Sequence, residues 1–198
     1  MTPDDALQKL LDGNKRFASQ NTQNRNIAEE IASTVDGVDG YAVVISCMDA
    51  RVNAEQIFDT KIGDIFVLRV GGGVINQDIV DSIEIAINMT QAKLVIMLGH
   101  TKCGAIVNAT KNKDKEVSQL IAKVLPALDA VPASLGDSSL SNIPYLRKAE
   151  EMQVVLSTQQ LQESSTLISN RISENQLMIA NAMYDVETGK VNLLEASS

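Results

Sequence analysis

The 198-residue chain has a single histidine and only two cysteines. Its longest apolar runs, around residues 41–45 and 94–98, fall far short of the ~18–20 residues that a membrane span requires. Cationic charge is scarce too: 17 Lys and Arg against 25 Asp and Glu leave a net charge of −8. Such a chain is a poor partner for the phosphate backbone of nucleic acid or for an anionic membrane surface. Two cysteines do not make a disulfide framework, which belongs to small secreted chains rich in cysteine. Met1-Thr2-Pro3-Asp4-Asp5 has no basic region and no apolar stretch. No secretory signal is therefore visible and the cytoplasm is the expected setting, with a leader removed upstream left open.

What is present is a globular composition, 44% hydrophobic and 21% charged, at a length that suits one domain with a sizeable core. Thr2-Pro3-Asp4-Asp5 reads as a helix start, with Thr as cap, Pro in the first turn and acids beside it. Ala6, Leu7, Leu10, Leu11 and Phe17 follow at helical spacing. That stripe suits either a partner chain or the chain's own sheet. Residues 27–35 form a second short helix, so 1–35 is read as an N-terminal helical arm.

Three apolar, β-branched runs at 41–46, 64–70 and 93–99 read as strands covered on both faces. Ile79, Ile83, Ile85, Ala86 and Met89 outline a buried helix between the second and third. A helical region covers 111–175, broken at 132–144. Residues 176–195 predict a hairpin whose turn holds Gly189. Strands alternating with helices predict an α/β fold: a mainly parallel central sheet with an antiparallel edge strand, flanked by helices.

Cys47 stands just past the end of the first strand, and His100 and Cys103 just past the end of the third. In an open α/β sheet, ligand sites form beyond the carboxyl ends of strands, where the strand order reverses. If the two strands are neighbours, two thiolates and one imidazole meet, a donor set that favours zinc. Three protein ligands leave a fourth position open, as in catalytic rather than structural zinc sites. Two core cysteines and a hydrogen-bonded histidine are the plain alternative. Asp49 and Arg51, two apart, would point the same way on an extended segment and form a bidentate pair. Beside a metal, Arg51 would keep the Asp49 carboxylate from closing the open position; elsewhere the pair would be an ordinary surface ion pair.

Cys47-Met48-Asp49-Ala50-Arg51 together with Gly99-His100-Thr101-Lys102-Cys103-Gly104-Ala105 resembles the β-class carbonic anhydrases. The similarity extends to residues 63–69, to Ser82-Ile83-Glu84 and to residues 184–191, so it reaches across the 41–110 core to the final hairpin. The resemblance implies a zinc enzyme that interconverts carbon dioxide and bicarbonate. Cys47, His100 and Cys103 would be the metal ligands, and Asp49 and Arg51 the gating dyad. It implies a homodimer or a multiple of dimers, with Phe66 on the pocket wall across the interface. Gly104 would offer a backbone N–H to an anion at a helix start. Phe66 as an ordinary core residue and Gly104 as a simple helix-start glycine stay open.

Two positions depart from the plant-type pattern. A substrate-contacting Gln is missing around Gly37-Val38-Asp39, and Ile85 stands where those relatives carry Tyr. The pocket is therefore expected to be more apolar. Hydrolysis of carbonyl sulfide or carbon disulfide on the same fold, and a zinc protein without turnover, remain alternatives. A redox role is disfavoured because the cysteines form no Cys-x-x-Cys motif.

Overall fold

Helix α1 (Pro3–Ala18) begins on a reciprocal cap. Thr2 Oγ1 accepts from the Asp5 N–H at 3.1 Å, and Asp5 Oδ2 accepts from the Thr2 N–H at 2.8 Å. The computed structural model describes residues 1–90 and 92–195. It lays α1 on the chain's own sheet, with Ala6 and Leu10 buried in one cluster with Ala42, Val44, Leu94 and Ile96. Gly13 lets α1 pass close to the backbone at Phe58: a Cβ there would stand 1.8 Å from the Phe58 carbonyl oxygen. Helix α2 (Ile27–Ser33), capped by Asn26, follows with Ile27 and Ile31 exposed.

The strands are β1 (Ala42–Cys47), β2 (Ile65–Val70), β3 (Leu94–His100), β4 (Met178–Tyr184) and β5 (Val191–Leu193). They form one sheet in the order β2-β1-β3-β4-β5. The first four are parallel and β5 runs antiparallel to β4. This is the α/β architecture that the alternating pattern predicts, with its antiparallel edge. Every residue of β1 is buried, which demands cover on both faces.

One face carries α1 and the short α3 (Ala54–Ile57). The other carries α4 (Gln77–Met89), the long α8 (Ile143–Ser164) and α9 (Thr166–Ser173). A third apolar cluster sits over the carboxyl ends of β1 and β3. It draws on α5 (Gly104–Lys111), α7 (Leu125–Asp129) and the start of α8, with α6 (Gln119–Ala122) packed beside it. Each fully buried Leu or Ile in these layers contributes about 1.5–3 kcal/mol.

Two sequence expectations change. Ile85 and Met89 are not part of a buried face: they are 57% and 79% exposed, while α4 turns Ile79, Val80, Ile83, Ala86 and Ile87 inward. Those five follow the i, i+3, i+4 rhythm of one helical stripe, and residues 85 and 89 fall on its far side. The predicted break at 132–144 also ends early. Asn142 caps α8, accepting from the Tyr145 N–H at 3.1 Å, and Pro144 sits in the first turn, where its missing N–H costs nothing.

Among the described residues, no helix is long and apolar enough to cross a membrane.

Candidate active site

The chain goes from β1 outward to β2, then returns to lay β3 on the other side of β1. That reversal opens a crevice at the carboxyl ends of β1 and β3. Cys47 is the last residue of β1 and His100 the last of β3; Cys103 caps α5 three residues later. All three are buried, and their ligand atoms lie within 4.8 Å of one another. Lys102 makes this possible. Its φ of +58° turns the chain sharply between His100 and Cys103, so both donors face one point.

The histidine is held in one tautomer. Its Nδ1 lies 2.9 Å from the Thr101 carbonyl oxygen, which can only accept, so Nδ1 carries the proton. Nε2 is left with a free lone pair, buried and without a hydrogen-bond partner among the described residues. Thr101 is itself fixed: its N–H donates to the Tyr184 carbonyl at 3.0 Å, and its Oγ1 accepts from the Val186 N–H at 3.1 Å.

The neighbouring Cys103 thiol, helped by His100 and by backbone N–H groups, pulls the Cys47 pKa down against burial; the proximity of Cys47, together with burial, pushes Cys103 up. Burial alone would lower the His100 pKa, but the Cys47 sulfur and the Thr101 carbonyl outweigh it, and the net shift is upward. An orphaned imidazole nitrogen and two sulfurs, one readily ionised, form a donor set that fits a divalent, thiophilic metal.

Asp49 and Arg51 pair as expected, but through a turn and not an extended segment. The Val52 N–H donates to the Asp49 carbonyl at 2.9 Å, and the Arg51 N–H to Asp49 Oδ1 at 3.0 Å. Arg51 then closes a fork on the carboxylate, Nε to Oδ1 at 2.8 Å and Nη2 to Oδ2 at 2.6 Å. This guanidinium holds the Asp49 carboxyl well below the usual carboxylate range. Arg51 Nη2 also donates to the Lys102 carbonyl at 3.0 Å.

A cleft of about 270 Å³ opens from Asp49 to solvent. Its lining includes Cys47 and Asp49, Gly104 and Ala105 at the start of α5, and the apolar Leu120 and Ile121 of α6. Gly72 lies in the same lining at φ +68°; a Cβ there would stand 3.0 Å from Val124 Cγ2 and 3.2 Å from Ala105 Cβ. The structure thus brings Cys47, His100, Cys103, Asp49, Arg51 and Gly104 together. Phe66 it does not. Phe66 pairs with Val43 near the opposite end of the sheet and packs against the core cluster under α4, away from this cleft.

A carbonic anhydrase family profile matches residues 42–191. The carbonic anhydrase of Mycolicibacterium smegmatis is 33% identical over 189 residues, covering 95% of this chain and 91% of that protein. Among solved structures, the β-carbonic anhydrase CafA of Aspergillus fumigatus superposes with a TM-score of 0.75 at 25% identity, over 97% of this chain and 92% of that one. The chain belongs to the β-carbonic anhydrase family. Members of this family are carbonate dehydratases. A Coccomyxa β-carbonic anhydrase solved in complex with acetazolamide has the same fold, with a TM-score of 0.72 at 24% identity over 95% of this chain and 86% of that one.

Sequence reading missed a polar row behind the Cys47, His100 and Cys103 cluster of this β-carbonic anhydrase. Glu150, Gln153 and Ser157 of α8 line a narrow cavity of about 20 Å³ beside His100 and Cys103, room for about one water. Glu150 Oε1 accepts from the Cys103 N–H at 2.8 Å, and Gln153 Nε2 donates to Ser157 Oγ at 3.0 Å. Burial pushes the Glu150 pKa up. The only signal in the sequence is an i, i+3, i+7 spacing of polar residues, which in an isolated helix also describes a solvated face.

Proposed function

We propose that this chain catalyses the reversible hydration of carbon dioxide to bicarbonate and a proton, with zinc as its metal. Cys47 Sγ, His100 Nε2 and Cys103 Sγ would hold the ion, and Asp49 and Arg51 would serve beside it. The observation that carries the reading is the convergence of those three buried donors within 4.8 Å of one another, next to a carboxylate gripped at both oxygens by Arg51. When bound, zinc would supply the Lewis acidity that brings the pKa of water from 15.7 to about 7, a nucleophile near neutral pH.

The chain's own residues do the rest. Arg51 fixes the Asp49 carboxylate and keeps it ionised, so it can only accept; a water donating to it presents its lone pair away from it. Ala105, Leu120 and Ile121 give an apolar, linear substrate an apolar wall to approach along. The Gly104 N–H, at the first turn of α5, suits the anionic product. With the single histidine occupied as a ligand, the released proton leaves by buffer or through water.

We take residues 1–198 as one domain acting as a homodimer or a multiple of dimers. The apolar β2 edge strand and the exposed Ile85 and Met89 support this, since uncovered edges and apolar patches call for a partner. Phe66 on that strand would then serve the partner's pocket. Two buried, unpaired thiols suit a reducing cytoplasm.

Stopped-flow carbon dioxide hydration on zinc-loaded protein, with and without chelator, tests the reading. Activity is expected to vanish with chelator and in Cys103→Ala, and to fall sharply in Asp49→Ala. Full activity in Cys103→Ala would overturn it, and turnover of carbonyl sulfide or carbon disulfide without carbon dioxide hydration would reassign the substrate.

A further inference from the structure

Arg69 lies on β2 opposite Ser46, one residue before the point where β1 ends. Its side chain reaches past the strand end and donates to three consecutive carbonyls: Nε to Cys47 O at 3.3 Å, Nη2 to Met48 O at 3.1 Å and to Asp49 O at 2.6 Å. Along a strand, successive carbonyls point to alternate sides. Three in a row can meet one cation only if the backbone curls around it. The guanidinium is a rigid planar fork, so it fixes the shape of that curl and does not merely supply charge.

The curled segment carries both a proposed metal ligand, Cys47, and the proposed gate, Asp49. Arg51 holds the Asp49 carboxylate from one side, and Arg69 holds the Asp49 backbone from the other. The first contact sets where the carboxylate points; the second sets how far Asp49 stands from the Cys47 sulfur. Arg69 is exposed, so replacing it opens no cavity in the core. Leu68 and Val70 on either side keep β2 packed against the core.

We infer that Arg69 is a positioning residue that sets the offset between the Cys47 sulfur and the Asp49 carboxylate by clamping the Cys47, Met48 and Asp49 carbonyls. The inference rests on the roles proposed above for Cys47 and Asp49. Glutamine cannot bridge the three carbonyls. Lysine keeps the charge but presents a point donor on a flexible stem.

The test uses the full chain as wild type, Arg69→Gln and Arg69→Lys, each loaded with zinc or with cobalt(II). Metal per chain, thermal midpoint, the cobalt d–d absorption bands, and kcat and KM for carbon dioxide hydration are measured. The expected result is one metal per chain in all three. In Arg69→Gln the cobalt bands shift and kcat falls at least tenfold with KM within threefold, and Arg69→Lys recovers part of both. Cobalt bands that superimpose on wild type with kcat within twofold would overturn the inference. So would losses that match only the fraction of protein unfolded or metal-free. If Arg69→Gln does not fold, Arg69→Lys is judged against wild type by the same bands and kcat. A wild type that binds cobalt but does not hydrate carbon dioxide would sink the functional reading, and the bands would still decide the role of Arg69.

Discussion

Arg51 and Lys102 are 51 residues apart, yet Arg51 Nη2 donates to the Lys102 carbonyl at 3.0 Å. The same nitrogen holds Asp49 Oδ2 at 2.6 Å. One guanidinium therefore ties the turn after β1 to the turn after β3, the two segments that carry the candidate ligands.

Removing that tie should disable the site without unfolding the protein. Arg51→Ala is expected to lower kcat/KM for carbon dioxide hydration by about 10–100-fold, the usual cost of losing an outer hydrogen-bond partner. Zinc content by elemental analysis should stay near one per chain, because no proposed ligand is touched. Wild-type kcat/KM in Arg51→Ala would remove the gating role of the pair.

Glu150 should govern metal affinity through Cys103. Glu150→Ala leaves the buried Cys103 N–H without its acceptor, a loss of about 1–3 kcal/mol in stability. Competition with a zinc chelator should show affinity about 10–100-fold weaker. Glu150→Gln retains an acceptor oxygen and should sit close to wild type. Equal affinities in the alanine variant and wild type would refute the assignment.

Acid stability offers a check away from the metal. Glu30 accepts from Arg25 Nε at 2.9 Å and pairs with Arg25 Nη2, and it also accepts from the Ile62 N–H at 3.0 Å. The hydrogen bonds from Arg25, partly opposed by burial, bring its pKa from 4.5 down to about 2. The folded value lies below the unfolded one, so this contribution is complete above pH 4.5 and disappears as pH falls toward 2. Glu30→Gln should be less stable than wild type at pH 6, and urea midpoints of the two should converge as pH falls to about 2. Midpoints that run parallel across that range would exclude the coupling.

Turnover should depend on buffer. The single histidine is one of the proposed metal ligands, so with metal bound no free imidazole is available to carry a proton near neutral pH. The kcat for hydration is expected to rise with buffer concentration and then level off. A rate unchanged from dilute to concentrated buffer would point to an internal proton carrier.

Cys47, His100 and Cys103 could be read from sequence because Cys47 and His100 stand at strand ends and Cys103 follows three residues later at a helix start, and the β-branched runs that mark the strands are local signals. Asp49 and Arg51 were legible for the same reason, although their geometry was not. An Asp side chain capping its own turn produces the pairing that an extended segment was expected to give. Glu150 and Arg69 were not legible as site residues. Their partners lie 47 and about 20 residues away, and a buried carboxylate on a helix looks in sequence like one facing water. Ile85 and Met89 misled in the opposite direction, because apolar side chains on the outer face of α4 look like core.

The pairing of β1 with β3 sets Ser46 level with Leu98, which leaves Cys47 and His100 to project from adjacent strand tips. A slip of one residue would carry every β1 side chain to the opposite face of the sheet and swing the sulfur out of reach of the imidazole. Ion uptake by this enzyme is thus a gauge of strand alignment. Refolded material that is compact and rich in secondary structure but refuses the metal would be a misaligned isomer, and titration with cobalt would count it directly.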